Sequence, residues 1–520
     1  MDAVSTALFA QLLASVAEEM GEALRRSAFS PNVKERCDYS CAVFLSDGRM
    51  AAQAAHIPVH LGATPLSVAA VLEDHDLRPG DEYLLNDPFR GGTHLPDVTL
   101  VRPVFLDGAE AASFLVANRA HHADIGGATP GSMGLARDIH GEGFRIPPVR
   151  LVENGRVLPD ILKLFRAQVR QPDEREGDLR AQLAANHVGE LRLAELSREH
   201  GPAVLSSGAA ALPRATARAM RALIAELPRG EFRFEDRLDG DGRGSGPLPI
   251  RVAIRLDGRR ARVDFAGSAA QVAGPVNANL AVTISAVAYC FRCLLDQAVP
   301  QNGGVLDCID VIAPEGTIVN ARAPAAVAGG NVETSQRIVD AVLGALSRAA
   351  PDRIPAASAG TMTNVSLGGR DFTYYETVPG GSGASPRAKG AAAVQTHMTN
   401  TLNTPIEMLE ADYPLRVTRY AVRRGSGGAG LRRGGDGVER HLQALEPISV
   451  TVLAERQDRG PYGLAGGQPG RPGRTYRNGR RLPAKVTVDL EAGDVLALKT
   501  PGGGGHGRAT RRATRRATQR

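Results

Sequence analysis

LNDPFRGGTHLPDVTL at residues 85–100, followed after one short strand by ANRAHHADIGG at 117–127, is the stretch whose reading decides both fold and site. Asp87, His94, Asp97, His121, His122 and Asp124 fall here within fewer than forty positions, among glycines and β-rich apolar runs. Imidazole and carboxylate together are the ligand set of a mid-hardness divalent metal such as Mn, Fe or Zn. Taken singly, a core histidine is usually a hydrogen-bonded structural residue, and Asp in an N-D-P or L-P-D context is a turn former. The density of the cluster favours a metal, with Glu35, Asp38, His56 and His60 as further candidates upstream. His121 and His122 point to opposite faces if the strand continues, so at most one is a ligand. The other is left to orient a ligand or touch substrate.

Working outward, apolar residues at helical spacing (Leu8, Leu12, Leu13, Val16, Met20, Leu24) predict an opening helix over 2–27. The run CAVFLSDGRMAAQA predicts a hairpin turning at Asp47 and Gly48. A helix near 65–74 and strands at 83–85, 98–105 and 113–117 complete the first part. Residues 173–227 read as helical, with a stop at Gly201 and Pro202. Strands return over 232–265, with helices near 282–295 and 334–349. The last third is Gly-rich and β-leaning, ending in a sandwich- or barrel-like run, and no internal repeat appears. The expected fold is mixed α/β (α+β) and multi-lobed, with a β-rich, Gly-rich C-terminal part. Its expected divisions are an N-terminal α/β lobe with the candidate metal site (1–170), a helical segment (171–230), a central α/β lobe (231–420), the β-rich part (421–507) and a disordered tail (508–520).

With 520 residues, several lobes are expected rather than one core. Aromatics make up 4% and Trp is absent, which gives little support to a nucleic-acid stacking surface. The net charge of +6 is set by the tail RATRRATRRATQR, whose six arginines equal the whole excess of basic over acidic residues. Five cysteines do not make a disulfide framework in a chain this long. Cys290 and Cys293 form a C-x-x-C inside an apolar helical run and read as a buried pair. The N-terminus lacks the form of a signal peptide and no apolar run reaches membrane-span length, so a cytoplasmic protein without membrane association is expected.

No phosphate-binding G-x-x-x-x-G-K-[ST] occurs, and no G-x-S-x-G elbow supports a serine nucleophile. Gly425, Gly427 and Gly430 fit G-x-G-x-x-G, but a loop follows where a dinucleotide site needs a helix, so these glycines are expected to shape a turn or let backbone approach closely. Residues 329–336 (GGNVETSQ) precede a helix, and Thr334 or Ser335 is placed to cap it, exposing N–H groups that suit an anionic ligand. Asn331, Glu333, Thr334, Ser335 and His397 are therefore candidate substrate-binding residues, capping and turn chemistry being the alternative. Tyr374–Thr377 and Thr396–Thr401 are polar clusters of a kind that line pockets.

At these residues the chain resembles the hydantoinase B / 5-oxoprolinase family. The likeness runs nearly end to end, through ERCDYSCAVFLSDGRMAAQAAHIPVHLG, LNDPFRGGTHLPDVTL, ANRAHHADIGGATPGSMG, GEGFRIPP, DLRAQLAANHVG, GGNVETSQRIVDAVLGAL, THMTNTLNTPIEMLE, RRGSGGAGLRRGGDG and TPGGGGHG. One departure is His506, where an aromatic residue is expected. The resemblance implies the B-type half of an ATP-dependent enzyme acting on cyclic amides such as 5-oxoproline or N-methylhydantoin. It places the nucleotide on a separate A-type partner subunit, in a hetero-oligomer. It carries over His94, Asp97 and His121 as metal ligands, with Glu35 and Asp124 after them, and leaves Asp124 or His122 as general base for a metal-activated water. The related acetone and acetophenone carboxylases imply a second reading, and a non-catalytic scaffold a third.

Overall fold

In the computed structural model, residues 3–54, 56–60, 62–106, 108–296 and 298–509 are described. The Arg-rich tail expected to be disordered lies outside them beyond residue 509. The opening helix spans Ala3–Ser27, and Phe9, Leu13, Val16, Met20 and Leu24 are its buried stripe. Leu8, expected inside, faces solvent at 50% exposure, because the stripe is set by Phe9 instead. Each fully buried Leu or Met contributes about 1.5–3 kcal/mol. The helix lies against helices Pro172–His200 and Pro202–Glu226. A Cβ at Gly189 would stand 2.6 Å from the Met20 sulfur, and one at Gly208 would stand 2.6 Å from the Phe9 ring. Glycine at those two crossings is thus what permits the helices to approach so closely.

These helices cover one face of a seven-stranded sheet whose neighbouring strands all run antiparallel. Its order is Met50–Gln53, Tyr39–Leu45, Phe114–His121, Asp97–Val104, Glu82–Leu85, Val149–Glu153, Arg156–Val157. Val43 and Val116 face the helices, whereas Ala42, Phe44, Leu115 and Ala117 face the main core on the other side. Burial on both faces explains why these strands read as nearly continuous apolar runs.

The main core continues into helices Leu280–Arg292 and Ser335–Ala349 and a four-stranded sheet containing Gly230–Leu238 and Leu248–Leu256. Because the first of these helices ends at Arg292, Cys293 follows it as an exposed residue, and the expected buried pair reduces to Cys290. The C-terminal part holds two open sheets packed on one apolar core. One joins Thr373–Thr377, Asn364–Gly368, Ile448–Leu453 and Lys485–Leu490; the other begins with Leu415–Val422 and Val438–Ala444. The strand Leu415–Val422 therefore runs through the division expected at residues 420 and 421. The G-x-G-x-x-G segment is a loop, as its sequence indicates. Among the described residues no helix is long and apolar enough to cross a membrane.

Candidate metal centre

Two adjacent strands build the site. Asp97 opens one and His121 closes the other, and the two are direct cross-strand partners. Residues so paired hold their side chains about 5 Å apart on one face. His94 arrives from the loop before Asp97, where the Asp97 N–H donates to the His94 carbonyl at 3.0 Å. Two asparagines fix that loop. The Asn86 amide donates to the Leu95 and Phe144 carbonyls, while the Asn279 amide donates to those of Pro88, Gly92 and Thr93. Gly91 is required there: its φ is +89°, and a Cβ would lie 2.4 Å from the Leu66 backbone.

The three donor atoms converge. His94 Nε2 is 3.1 Å from Asp97 Oδ1, His121 Nδ1 is 3.3 Å from that oxygen, and the two imidazole nitrogens are 3.2 Å apart. Bonds of about 2.0–2.2 Å to a shared ion put neighbouring ligand atoms about 3.0–3.5 Å apart. The triangle therefore has the size of one face of a coordination polyhedron. Among the described residues this is the group of acidic, His or Cys side chains whose ligand atoms cluster in this way. The mixed nitrogen and oxygen donors suit Zn, Mn or Fe better than Mg or Ca.

The surroundings are buried and specific. Asp97 Oδ2 accepts from the Thr93 hydroxyl and, at 3.4 Å, from the Asn331 amide, with His60 Nε2 also at 3.4 Å. His60 in turn meets the Ser40 hydroxyl at 2.8 Å through Nδ1. Burial lowers the His94 and His60 imidazoles. Burial by itself would raise the Asp97 carboxyl, but the charge of His94 and the hydrogen bonds from the His121, His60 and His94 imidazoles outweigh it and hold the group well below the usual range. The result is a carboxylate deep in the protein among imidazoles, a donor set that fits a divalent cation. On its outer side the His121 ring stacks on Tyr375, with centroids 4.6 Å apart and planes 13° apart. The buried Arg36 guanidinium lies 5.0 Å from the Tyr375 ring centroid. A cavity of about 20 Å³ adjoins the centre, lined among others by Asp38, Ile57, His60, Asn331, Met362 and Met398.

The other expected residues go elsewhere. Asp124 accepts from the Gly126, Gly131 and Arg170 N–H groups and pairs with the Arg170 guanidinium at 2.9 Å, so it anchors a turn. His122 points away from His121, meets Gln182 Oε1 at 2.9 Å and packs edge-on against Phe165; burial lowers its imidazole to about 4. Glu35 follows the short helix Pro31–Lys34 half-buried, and from that segment it is Asp38 that reaches the cavity. The Thr334 and Ser335 side chains do not cap a helix. A π-helical turn, Gly330–Thr334, leads directly into the helix at Ser335, and the two hydroxyls donate to the Val276 and Asn331 carbonyls. Glu333 Oε1 accepts from Met362 N–H and the Asn364 amide behind the cavity. His397 has φ +61° and meets the Tyr289 hydroxyl at 3.3 Å, while its neighbours Met398 and Thr399 line the cavity. Arg36 and Asn364 were not signalled by any motif; Tyr375 fell in a polar cluster with no assigned role.

Residues 2–509 match the sequence profile of the Hydantoinase B/oxoprolinase family. The chain belongs to that family. It is 37% identical over 522 residues to an uncharacterized protein of Methanocaldococcus jannaschii, covering 98% of this chain and 91% of that one. It is 38% identical over 540 residues to 5-oxoprolinase 1 of Arabidopsis thaliana, covering 97% of this chain but 42% of the plant protein. This hydantoinase B/oxoprolinase chain thus spans about two fifths of that oxoprolinase's length. Among solved structures it is similar to the ATP-dependent caprolactamase of Pseudomonas jessenii, with a TM-score of 0.91, 28% identity, and coverage of 99% and 93%. An acetone carboxylase shares the fold at a TM-score of 0.85 and 19% identity, with coverage of 96% and 75%.

Proposed function

We propose that this chain is the B-type subunit of an ATP-dependent cyclic-amide hydrolase of the oxoprolinase or hydantoinase type. The observation that carries the reading is the convergence of His94, Asp97 and His121 beside a small cavity. The 5-oxoprolinase relative extends well beyond the matched region, and an ATP-binding A-type part would account for its remainder. We take the working form to be a cytoplasmic hetero-oligomer.

A lactam is resonance-stabilised and its nitrogen is a poor leaving group. Phosphorylation of the ring oxygen on the partner would make the ring carbon electrophilic. His94, Asp97 and His121 would hold one divalent ion, which when bound brings the pKa of a coordinated water toward neutrality. Thr93 and Asn331 fix the Asp97 carboxylate, and the Tyr375 ring fixes the plane of His121. Water oxygen adds to the activated carbon, and the carbon–nitrogen bond breaks with the nitrogen leaving as an amine that takes a proton from water. A second water then hydrolyses the resulting acyl phosphate to the carboxylate and inorganic phosphate. His60 and Asp38 line the cavity and are the proton acceptors in reach; Asp124 and His122 are engaged elsewhere. The cavity has room for about one water. Entry of a ring therefore requires the lining to yield.

The test is ATP hydrolysis by the purified chain with its A-type partner, in the presence of 5-oxoproline, hydantoin or caprolactam, together with product amine. Stimulation matched by ring opening supports the reading. ATP turnover that requires bicarbonate and a ketone would instead assign a carboxylase, and a chain that binds no metal would be left as a scaffold.

A further inference from the structure

The Asn331 side chain has one end in use and one end idle. Its Nδ2 lies 3.4 Å from Asp97 Oδ2, and since a carboxylate oxygen can only accept, the amino end must be the one that faces it. Its Oδ1 is buried with no hydrogen-bond partner. Asn331 lines the cavity beside the candidate metal centre, 3% exposed. Buried carbonyl oxygens are ordinarily paired, so an orphan at a cavity wall marks where a ligand donor belongs.

The backbone fixes this aim. Asn331 sits in the π-helical turn Gly330–Thr334, a distortion that recurs at functional sites. The turn is pressed against Asn277 so closely that a Cβ at Gly330 would lie 1.8 Å from the Asn277 carbonyl oxygen. The Ser335 hydroxyl then ties the Asn331 carbonyl at 2.6 Å. Beyond the amide the wall is mixed: Ile57, Met362 and Met398 share it with Asp38, His60 and Thr399.

Resting on the hydrolase reading above, we infer that Asn331 Oδ1 accepts the N–H of the scissile ring nitrogen, and that the enzyme selects cyclic amides in which that nitrogen is unsubstituted. One amide then spans the site, donating to the Asp97 carboxylate and accepting from the scissile nitrogen. The arrangement also favours chemistry. An oxygen-phosphorylated lactam that keeps its nitrogen proton is more electrophilic at carbon than the neutral lactim, which has no hydrogen to donate. An acceptor at nitrogen holds the protonated form in place until water adds.

The experiment compares 2-pyrrolidinone and caprolactam with their N-methyl counterparts on the complete two-subunit enzyme, wild type, Asn331→Ala and Asn331→Leu. Expected is a wild-type preference for the N–H compounds of about 10- to 100-fold in kcat/KM, collapsing to near unity in both variants, because both classes lose the steadying of Asp97 but only the N–H substrates also lose the acceptor. Asn331→Leu keeps the side-chain volume should the alanine variant fold poorly, and metal content is measured in both. A role confined to steadying Asp97 would slow N–H and N-methyl substrates alike and leave the preference intact, overturning the inference. So would a wild type that turns over both classes equally. If neither class is opened or stimulates ATP turnover, the hydrolase reading itself falls, and this inference with it.

Discussion

The His/Asp centre and the Gly-rich part of the C-terminal region reach the same positional exactness by opposite means. At the centre two of the three donors stand on ordinary antiparallel sheet with the third on the adjoining loop, and the specificity is carried by side chains that meet there. In the Gly-rich part the side chains are missing, and the backbones themselves are in contact. A Cβ at Gly435 would lie 1.8 Å from the Ala391 carbonyl oxygen, one at Gly434 2.0 Å from that of Gly503, and one at Gly503 2.0 Å from that of Ser382. None of these three glycines adopts the left-handed region. They are needed for thinness rather than for flexibility, because their N–H groups bond directly to neighbouring strands of coil: Gly503 to Gly435, Gly435 to Ser382, Gly434 to Gly428. One region should therefore tolerate substitution structurally and fail chemically, and the other should fail structurally wherever the change is made.

The largest effect separates the two directly. Gly435→Ala forces a methyl into backbone, where neither a rotamer change nor a flexible neighbour can relieve it. A loss of about 3 kcal/mol or more follows, read as a fall in soluble yield and in the urea midpoint. A variant as stable as wild type would show that close backbone approach is not what these glycines provide.

Next, His94→Ala and Asp97→Asn are expected to leave the circular dichroism spectrum and urea midpoint nearly unchanged. Bound metal should fall from about one ion per chain to none, with activity in the two-subunit enzyme down about 100-fold or more. Full metal occupancy in either variant would sink the triad as the ligand set.

A smaller effect tests how the centre is supported. Tyr375→Leu removes the ring that stacks on His121 and is expected to weaken metal binding about 10-fold. Tyr375→Phe keeps the stack and loses only the hydroxyl bond to Asn364 Oδ1, 2.7 Å long. It should bind metal as wild type does and cost about 1 kcal/mol of stability. Equal metal affinity in all three proteins would mean the stack does not orient His121.

The contrast also explains what could be read in advance. Helical spacing, the Asp47–Gly48 hairpin and the density of His and Asp before residue 125 are local signals, and they located the elements and the centre. Strand register is not local: nothing in the sequence says that Asp97 lies opposite His121, while Asp124, just as plausible by spacing, anchors a turn. Asp38 and His60 were visible as candidates without any means of ranking them, because their approach depends on a strand and a loop folding over the centre. Arg36 gave no signal at all, since an arginine is ordinarily a surface residue, yet here it is buried against Tyr375 from a segment more than three hundred residues away in sequence. The Gly-rich part was recognised as a place of close backbone approach, but its partners, at 382, 391 and 503, come from segments with no pattern linking them.

The smallest expected effect concerns a buried acid that belongs to neither region but lies between them. Glu333 Oε1 accepts from the Met362 N–H and the Asn364 amide, while Oε2 is buried with no partner. Burial, with Glu455 nearby, pushes its carboxyl from the ordinary 4.5 up to about 8 against the opposing pull of Lys485. The folded chain therefore holds a proton here that the unfolded chain releases above about pH 4.5. The sign follows from linkage: this contribution to stability is fully present below pH 4.5 and is lost progressively as pH rises through about 8. Glu333→Gln imitates the protonated acid at every pH. Its urea midpoint should fall less than that of wild type between pH 6 and pH 9, with the two proteins closest at the acid end. Parallel curves would mean that Glu333 is already ionised in the native state and balanced by Lys485. The link from Asn364 to Tyr375 would then be built on a carboxylate rather than an acid.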